Sequence, residues 1–129
     1  MLLDESLAPV VARALALVGY EIADIEMVFG QKGVKDPEII NWCQENGAVW
    51  IHADDRARKQ HRALLQTSGI STVWVYRRRG AMTGKEQLRI LSSALPRLID
   101  SWQKSPNDRH YQVSATNELS RPSVRAITV

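Results

Sequence analysis

The chain has 129 residues, the length of a single globular domain, and a composition that is 44% hydrophobic and 24% charged. Its net charge of +3 permits a polyanionic partner without requiring one. The single cysteine excludes an internal disulfide and a cysteine-rich zinc site, and no apolar run is long enough to span a membrane, so we expect a cytoplasmic protein.

Strands and helices alternate along the first half of the chain. Apolar residues spaced by three and four predict an amphipathic helix over residues 6–18. The run Asp36-Pro37-Glu38 is typical of a helix start, with Asp36 expected as the N-cap. In order, the sequence predicts a strand ending at Asp4 and Glu5, the helix over 6–18, a strand over 20–25, a helix from Asp36 to Gly47, and a strand over 48–53.

The alternation continues in the second half. The sequence predicts a helix over 58–67, a strand over 72–76, a long helix over 83–104 that Pro96 kinks or shortens, and an edge strand over 109–115. Residues 116–129 show no clear pattern, and we expect them to form a C-terminal tail beyond a domain of residues 1–115. Short strands that alternate with helices predict an α/β domain with a mainly parallel sheet and helices on both faces.

Carboxylates stand where the predicted strands end. Asp4 follows the first strand, Asp54 follows the third, and Asp36 opens the helix between them. If the first and third strands are neighbours, these carboxylates gather at one edge of the sheet and repel one another unless a cation neutralises them. Oxygen ligands favour Mg²⁺ or Mn²⁺. Glu5 and Asp55 are weaker candidates, because an acid at a helix start also has a structural reason to be there.

Two groups of basic residues flank the predicted strand ends. Such groups are often simply solvated surface, but beside a metal site they would hold the backbone of a nucleic acid. The basic residues predicted to bind nucleic acid are Arg56, Arg58, Lys59, Arg77, Arg78 and Arg79.

Two segments resemble the PIN-like domains of VapC-type toxins: LLDESLAPVVARALALVGYEIADIE (2–26) and KDPEIINWCQENGAVWIHADD (35–55). The resemblance extends over about residues 1–105. In those domains an Asp ends the first strand, an Asp opens the middle helix and an Asp ends the third strand, which match Asp4, Asp36 and Asp54. This chain departs from the pattern where His52 replaces a Thr and Arg56 replaces an Asp.

The resemblance implies a three-layer α/β/α fold and a metal-dependent ribonuclease, commonly the toxin of a toxin–antitoxin pair. It implies Mg²⁺ or Mn²⁺ bound by Asp4, Asp36 and Asp54. The implied partners are an RNA substrate and a cognate antitoxin protein, with a homodimer also compatible and no membrane.

Two other classes of protein remain open. A phosphoacceptor receiver domain also pairs acids at the end of its first strand with an Asp after its third. It needs a Thr or Ser at the end of its fourth strand, where this chain has Tyr76 and Arg77, and a Lys ending its fifth strand. A non-catalytic binding module would use the same acids only as helix caps.

Overall fold

The computed structural model describes residues 1–77, 81–116 and 120–129, without the side chain of Arg77. The strands within these residues are β1 (Leu2–Leu3), β2 (Ala23–Asp24), β3 (Trp50–His52), β4 (Thr72–Arg77), β5 (His110–Ala115) and β6 (Ser123–Ala126). The helices are α1 (Pro9–Leu17), α2 (Ile25–Phe29), α3 (Asp36–Asn46), α4 (Asp55–Gln60), α5 (Arg62–Ser68) and α6 (Gly84–Lys104).

The strands form one sheet in the order β2-β1-β3-β4-β5-β6. Every neighbouring pair is parallel except β5 and β6, which are antiparallel. The predicted contact between the first and third strands is confirmed, because Leu3 of β1 is in register with Ile51 of β3. Asp4 and Asp54 therefore follow adjacent strands at the same edge of the sheet.

Side chains alternate across the sheet and build one hydrophobic core on each face. Leu3 and Ile51 belong to the core shared with α1 and α6. Leu2 and Trp50 belong to the core shared with α3, α4 and α5. The three-layer α/β/α architecture predicted from the sequence is confirmed. None of the helices within the described ranges is long and apolar enough to cross a membrane.

The second predicted strand is shorter than its apolar pattern indicates. Only Ala23 and Asp24 pair with β1, and α2 begins immediately afterwards at Ile25. The carboxylate of Asp24 accepts a hydrogen bond from the N–H of Met27 at 2.9 Å and so caps this helix. The cap explains why a helix begins at Ile25, where the sequence analysis placed the end of a strand.

The start of α3 also differs from the prediction. Asp36 is the first helical residue, and Lys35 occupies the N-cap position without a side-chain hydrogen bond. The expectation that Asp36 is the N-cap is therefore wrong by one residue. Its carboxylate is left available for a contact outside the helix.

The single helix predicted over 58–67 is two helices, α4 and α5, which meet at His61. The long helix α6 runs through Pro96 to Lys104, so the proline does not shorten it.

The C-terminal region corrects two expectations. The strand β5 is not at the edge of the sheet, because β6 pairs with it. The segment predicted as a tail therefore includes a strand. It is held to α6 by two arginines: Arg89 donates to the carbonyl of Ser120 at 3.0 and 3.2 Å, and Arg97 donates to that of Pro122 at 2.7 Å. A four-residue, mostly exposed strand has no hydrophobic alternation that a sequence pattern could detect.

Candidate active site

Asp4 stands at the carboxyl end of β1 with both carboxylate oxygens held. The N–H of Ser6 donates to Oδ2 at 3.0 Å, and the indole Nε1 of Trp50 donates to Oδ1 at 3.3 Å. The N–H of Asp4 donates to the carbonyl of Ile51 at 2.8 Å, which extends the β1–β3 pairing to the acid itself. The pairing of β1 with β3 therefore fixes the position of this carboxylate, and the hydrogen bonds from Ser6 and Trp50 fix its orientation.

Asp54 follows β3 and caps α4. Its Oδ1 accepts from the N–H of Arg56 at 3.0 Å and from the Nε of Arg56 at 3.1 Å, and Oδ2 accepts from Nη2 of the same guanidinium at 3.3 Å. The side-chain hydrogen bonds from Arg56 lower the pKa of Asp54 below its ordinary value, although burial opposes the shift. Asp54 is therefore ionised across the physiological range.

Asp36 joins the two strand-end acids electrostatically. Burial raises its pKa first, and the charges of Asp4 and Asp54 raise it further. His61 opposes this shift, with its Nε2 at 3.3 Å from Oδ2 of Asp36. Asp36 therefore lies close enough to both strand-end acids to respond to their charges, and we call Asp4, Asp36 and Asp54 the acidic group.

The place of this group in the sheet matches the general rule for open α/β folds. The strand order reverses between β1 and β3, since β2 lies outside β1 and the later strands lie beyond β3. Ligands of such sheets bind outside the carboxyl ends of the strands at this reversal. A cavity of about 450 Å³ opens there, lined by Asp4, Glu5, Asp36 and His61 among others.

The two weaker candidates are engaged elsewhere. Glu5 accepts a hydrogen bond from the N–H of Gly33 at 2.7 Å, which ties the loop before α3 to the end of β1. Oδ1 of Asp55 lies 2.7 Å from Nη2 of Arg58, and Oδ2 lies 3.1 Å from Nζ of Lys59. Burial opposes ionisation of Asp55, but these two cations prevail and lower its pKa.

The three carboxylates have the right chemistry to bind a hard divalent cation, but their side chains are not arranged around a common point. Oxygen donors of this kind are those that Mg²⁺ and Mn²⁺ prefer. Within residues 1–77, 81–116 and 120–129, however, no three His, Cys, Asp or Glu side chains are close enough to hold a metal ion together. Arg56 and His61 instead contact two of the three acids, so binding an ion would require these side chains to adjust.

His52 has a structural position beside the acids. It is buried, its ring lies 4.8 Å from that of Trp50, and its Nδ1 is 3.1 Å from the carbonyl of Asp54. Burial lowers its pKa, so the ring is neutral at neutral pH.

The predicted basic residues divide into two groups. Arg56, Arg58 and Lys59 form ion pairs with the acids of the same turn, and Arg58 also lies over the ring of Trp74, 4.5 Å from its centroid. Arg77 is the last residue of β4. Its side chain, together with Arg78 and Arg79, lies outside the described residues, so their predicted role stays a prediction.

Trp50 and His61 are contacts of the acids that the sequence analysis missed. A signal existed for Trp50: it pairs with Leu2, and Asp4 lies two residues beyond Leu2 on the same side of the strand. No comparable signal exists for His61, because its contact with Asp36 depends on how α4 packs near α3.

Comparison with known proteins adds one finding. A family model described as a PIN like domain matches residues 1–77, which include Asp4, Asp36 and Asp54. No curated protein and no solved structure gives a significant match.

Proposed function

Because the chain belongs to the PIN-like domain family, whose fold is of the nuclease type, we propose that it is a ribonuclease that depends on Mg²⁺ or Mn²⁺. The observation that carries this proposal is that Asp4 and Asp36 line one cavity at the strand reversal, where burial first, and then the charges of Asp4 and Asp54, raise the pKa of Asp36. A cation bound there would offset the repulsion that Asp36 experiences from the other two acids.

In this proposal Asp4, Asp36 and Asp54 would hold the ion. Mg²⁺ or Mn²⁺ at such a site would supply Lewis acidity toward the phosphodiester and a more acidic water. Asp4 is already oriented by Ser6 and Trp50. Asp36, whose charge is disfavoured by burial and by the other two acids, would be stabilised in its ionised form by the ion.

The role we propose in the cell is that of the toxin of a toxin–antitoxin pair, acting on RNA in the cytoplasm and restrained by a cognate antitoxin protein. This part rests on the resemblance of residues 2–26 and 35–55 to VapC-type domains. Its test is expression of the chain in a bacterial host. We expect growth arrest with the wild type and none with Asp54→Asn, and normal growth with both proteins would reject the toxin role.

The enzymatic proposal is tested by RNA cleavage with purified protein. We expect cleavage in Mg²⁺ or Mn²⁺, none in excess EDTA, and none for Asp4→Asn or Asp54→Asn in either ion. The matched control is Asp100→Asn, which neutralises an exposed acid that forms an ion pair with Lys104 on the same helix, α6. Equal cleavage by all four proteins, or cleavage that persists in EDTA, would reject the metal role.

A non-catalytic binding module is the second candidate, favoured by one observation. Asp54 and Asp55 are both neutralised by cations of the chain itself, as structural caps often are. Titration calorimetry separates the two candidates. A catalytic site should bind Mn²⁺ with loss of the signal in Asp54→Asn, whereas a module with structural caps should give no signal in either protein.

A further inference from the structure

One part of the sheet carries aromatic side chains on a face that the helices do not fully cover. Val73 and Val75 of β4 point into the core shared with α1 and α6, so Trp74 and Tyr76 point to the opposite face. That face is buried at the start of β4, where Oγ1 of Thr72 lies 2.8 Å from Nδ1 of His110. Toward the carboxyl end it opens: Trp74 is half-buried and Tyr76 is 36% exposed.

The register of the strands places polar partners beside these rings. Trp74 is opposite Gln112 on β5, and Gln112 is opposite Arg125 on β6. The guanidinium of Arg125 donates to the side-chain oxygen of Gln112. We call Trp74, Tyr76, Gln112, Arg125 and Arg58 the aromatic face.

The rings of Trp74 and Tyr76 contact each other on the aromatic face. Their centroids are 5.2 Å apart and their planes are tilted by 48°. Arg58 covers one side of Trp74, and Arg125 lies two strands away at the other end of the row. Two cations therefore lie in the row of Trp74, one over its ring and one at the far end of the row.

This surface reaches the chain neighbours of the carboxylate site. A cavity of about 770 Å³ is lined by the whole aromatic face and also by Ser6 and Asp55. Ser6 donates its N–H to Asp4, and Asp55 follows Asp54 directly. One end of the cavity therefore lies next to Asp4 and Asp54, although these acids line a separate cavity or cap a helix.

The chemistry of the aromatic face suits unpaired nucleotides. Bases splayed out of a single strand stack on aromatic side chains, and arginines beside them contact the phosphates. The side-chain NH₂ of Gln112 offers a donor to the edge of a base, while its oxygen already accepts from Arg125. A duplex keeps its bases stacked inside and cannot use these rings, and an acidic peptide would gain nothing from aromatic faces beside Asp55.

We propose that the aromatic face binds unpaired bases of single-stranded RNA and guides the strand to the carboxylate site. The identity of the nucleic acid rests on the proposed ribonuclease function, whereas binding itself requires neither the metal nor cleavage. This separation allows the two proposals to fail independently.

The experiment measures fluorescence anisotropy of a labelled single-stranded RNA of mixed sequence with the full chain in EDTA. We expect Trp74→Ala to weaken binding at least about fivefold, because base–aromatic stacking contributes at this level. Trp74→Phe, which keeps an aromatic ring, should retain most of the affinity. Trp102→Phe is the matched control, since this half-buried tryptophan packs against the core on α6.

Two further variants guard against misfolding of Trp74→Ala. Tyr76→Ala and Arg125→Ala change exposed side chains, and both should also weaken binding while the melting temperature is kept. Unchanged affinity in these folded variants would overturn the proposal. So would equally tight binding of a duplex, or displacement of the RNA by an acidic peptide as effective as unlabelled RNA.

The same measurements separate this proposal from the ribonuclease function. If the wild type does not cleave RNA but binds it through Trp74, the aromatic face stands and the enzymatic proposal fails. If cleavage requires Asp54 while Trp74→Ala binds and cleaves as the wild type does, the enzyme stands and the aromatic face fails.

Discussion

Asp36 and Asp54 carry the same side chain, yet their surroundings move the two pKa values in opposite directions. Asp54 is held in its charged form by Arg56. Asp36 is pushed toward its neutral form by burial and by two neighbouring acids. The charge of Asp54 therefore stabilises the folded state, whereas the charge of Asp36 destabilises it. Measuring stability as a function of pH distinguishes the two residues.

We predict that Asp36→Asn raises the free energy of unfolding at pH 7. The pKa of Asp36 is higher in the folded chain than its ordinary value of 3.8, so the folded state holds the proton more tightly. Ionising Asp36 then lowers stability as the pH rises from the unfolded pKa through the folded one. The gain from Asn should be complete at neutral pH and should vanish below about pH 3.8.

Urea unfolding of Asp36→Asn and the wild type from pH 3 to 7 checks this prediction. The variant retains an oxygen that can accept a hydrogen bond from His61. Asp54→Asn is the contrasting control, because the pKa of Asp54 is lowered and its charge contributes stability that is lost as the pH falls. A loss of stability at pH 7 in Asp36→Asn would contradict the argument.

A second prediction concerns the coupling between the acids. Asp4→Asn should lower the pKa of Asp36, since the charge of Asp4 is the largest cause of its rise after burial. The measurement is an NMR titration of the Asp36 side-chain carbon in both proteins. Identical titration curves would mean that Asp4 and Asp36 do not sense each other, and the grouping of the three acids would fail.

At the scale of single elements, the helix α6 shows how local chemistry fixes a boundary. Thr83 is its N-cap, and the Thr83 hydroxyl accepts from the N–H of Glu86 at 3.2 Å. We predict that Thr83→Ala lowers the free energy of unfolding by about 1 kcal/mol, the usual effect of losing such a cap. Thr83→Ser should remain close to the wild type in the same chemical denaturation, and equal losses in both variants would contradict a capping role.

Elements were predictable where their own residues decide them. The helices α1 and α6 carry long apolar stripes, and their bounds lie within a few residues of those the spacing predicts. The strand β2 has only two residues, and pairing with β1 decides where it ends. The start of α4 was missed because Asp54 caps a helix that begins at Asp55, whereas the apolar spacing placed the helix start at residue 58.

The candidate site was predictable to a similar degree. Acids after apolar strands, together with the βα alternation, are enough to predict that Asp4 and Asp54 lie at one edge of a parallel sheet. The ion pairs of Arg56 and His61 with these acids depend on side-chain orientation and helix packing. No pattern of residue types contains that information.

At the scale of the whole molecule, β6 completes the sheet beyond β5. We predict that removing residues 120–129 makes the protein self-associate, because the N–H and C=O groups of β5 that face β6 would become an exposed edge. Size-exclusion chromatography with light scattering checks this. Arg125→Ser, which leaves the backbone bonds of β6 in place, is the control and should elute as the wild type does. A truncated chain with an unchanged mass in solution would contradict the prediction.

The strand β1 lies between β2 and β3 in the sheet, and this position has a consequence for the order of folding. Asp4 contacts Trp50, 46 positions away, and its N–H donates to Ile51, so the acid is placed only when β1 and β3 have paired. Closing so large a loop is slow compared with forming a helix. A partly folded chain with β1 unpaired therefore lacks the site, however complete its helices are. We therefore expect the amide hydrogen of Asp4 to exchange with solvent as slowly as the amides of β3, because both should exchange only when the whole domain unfolds.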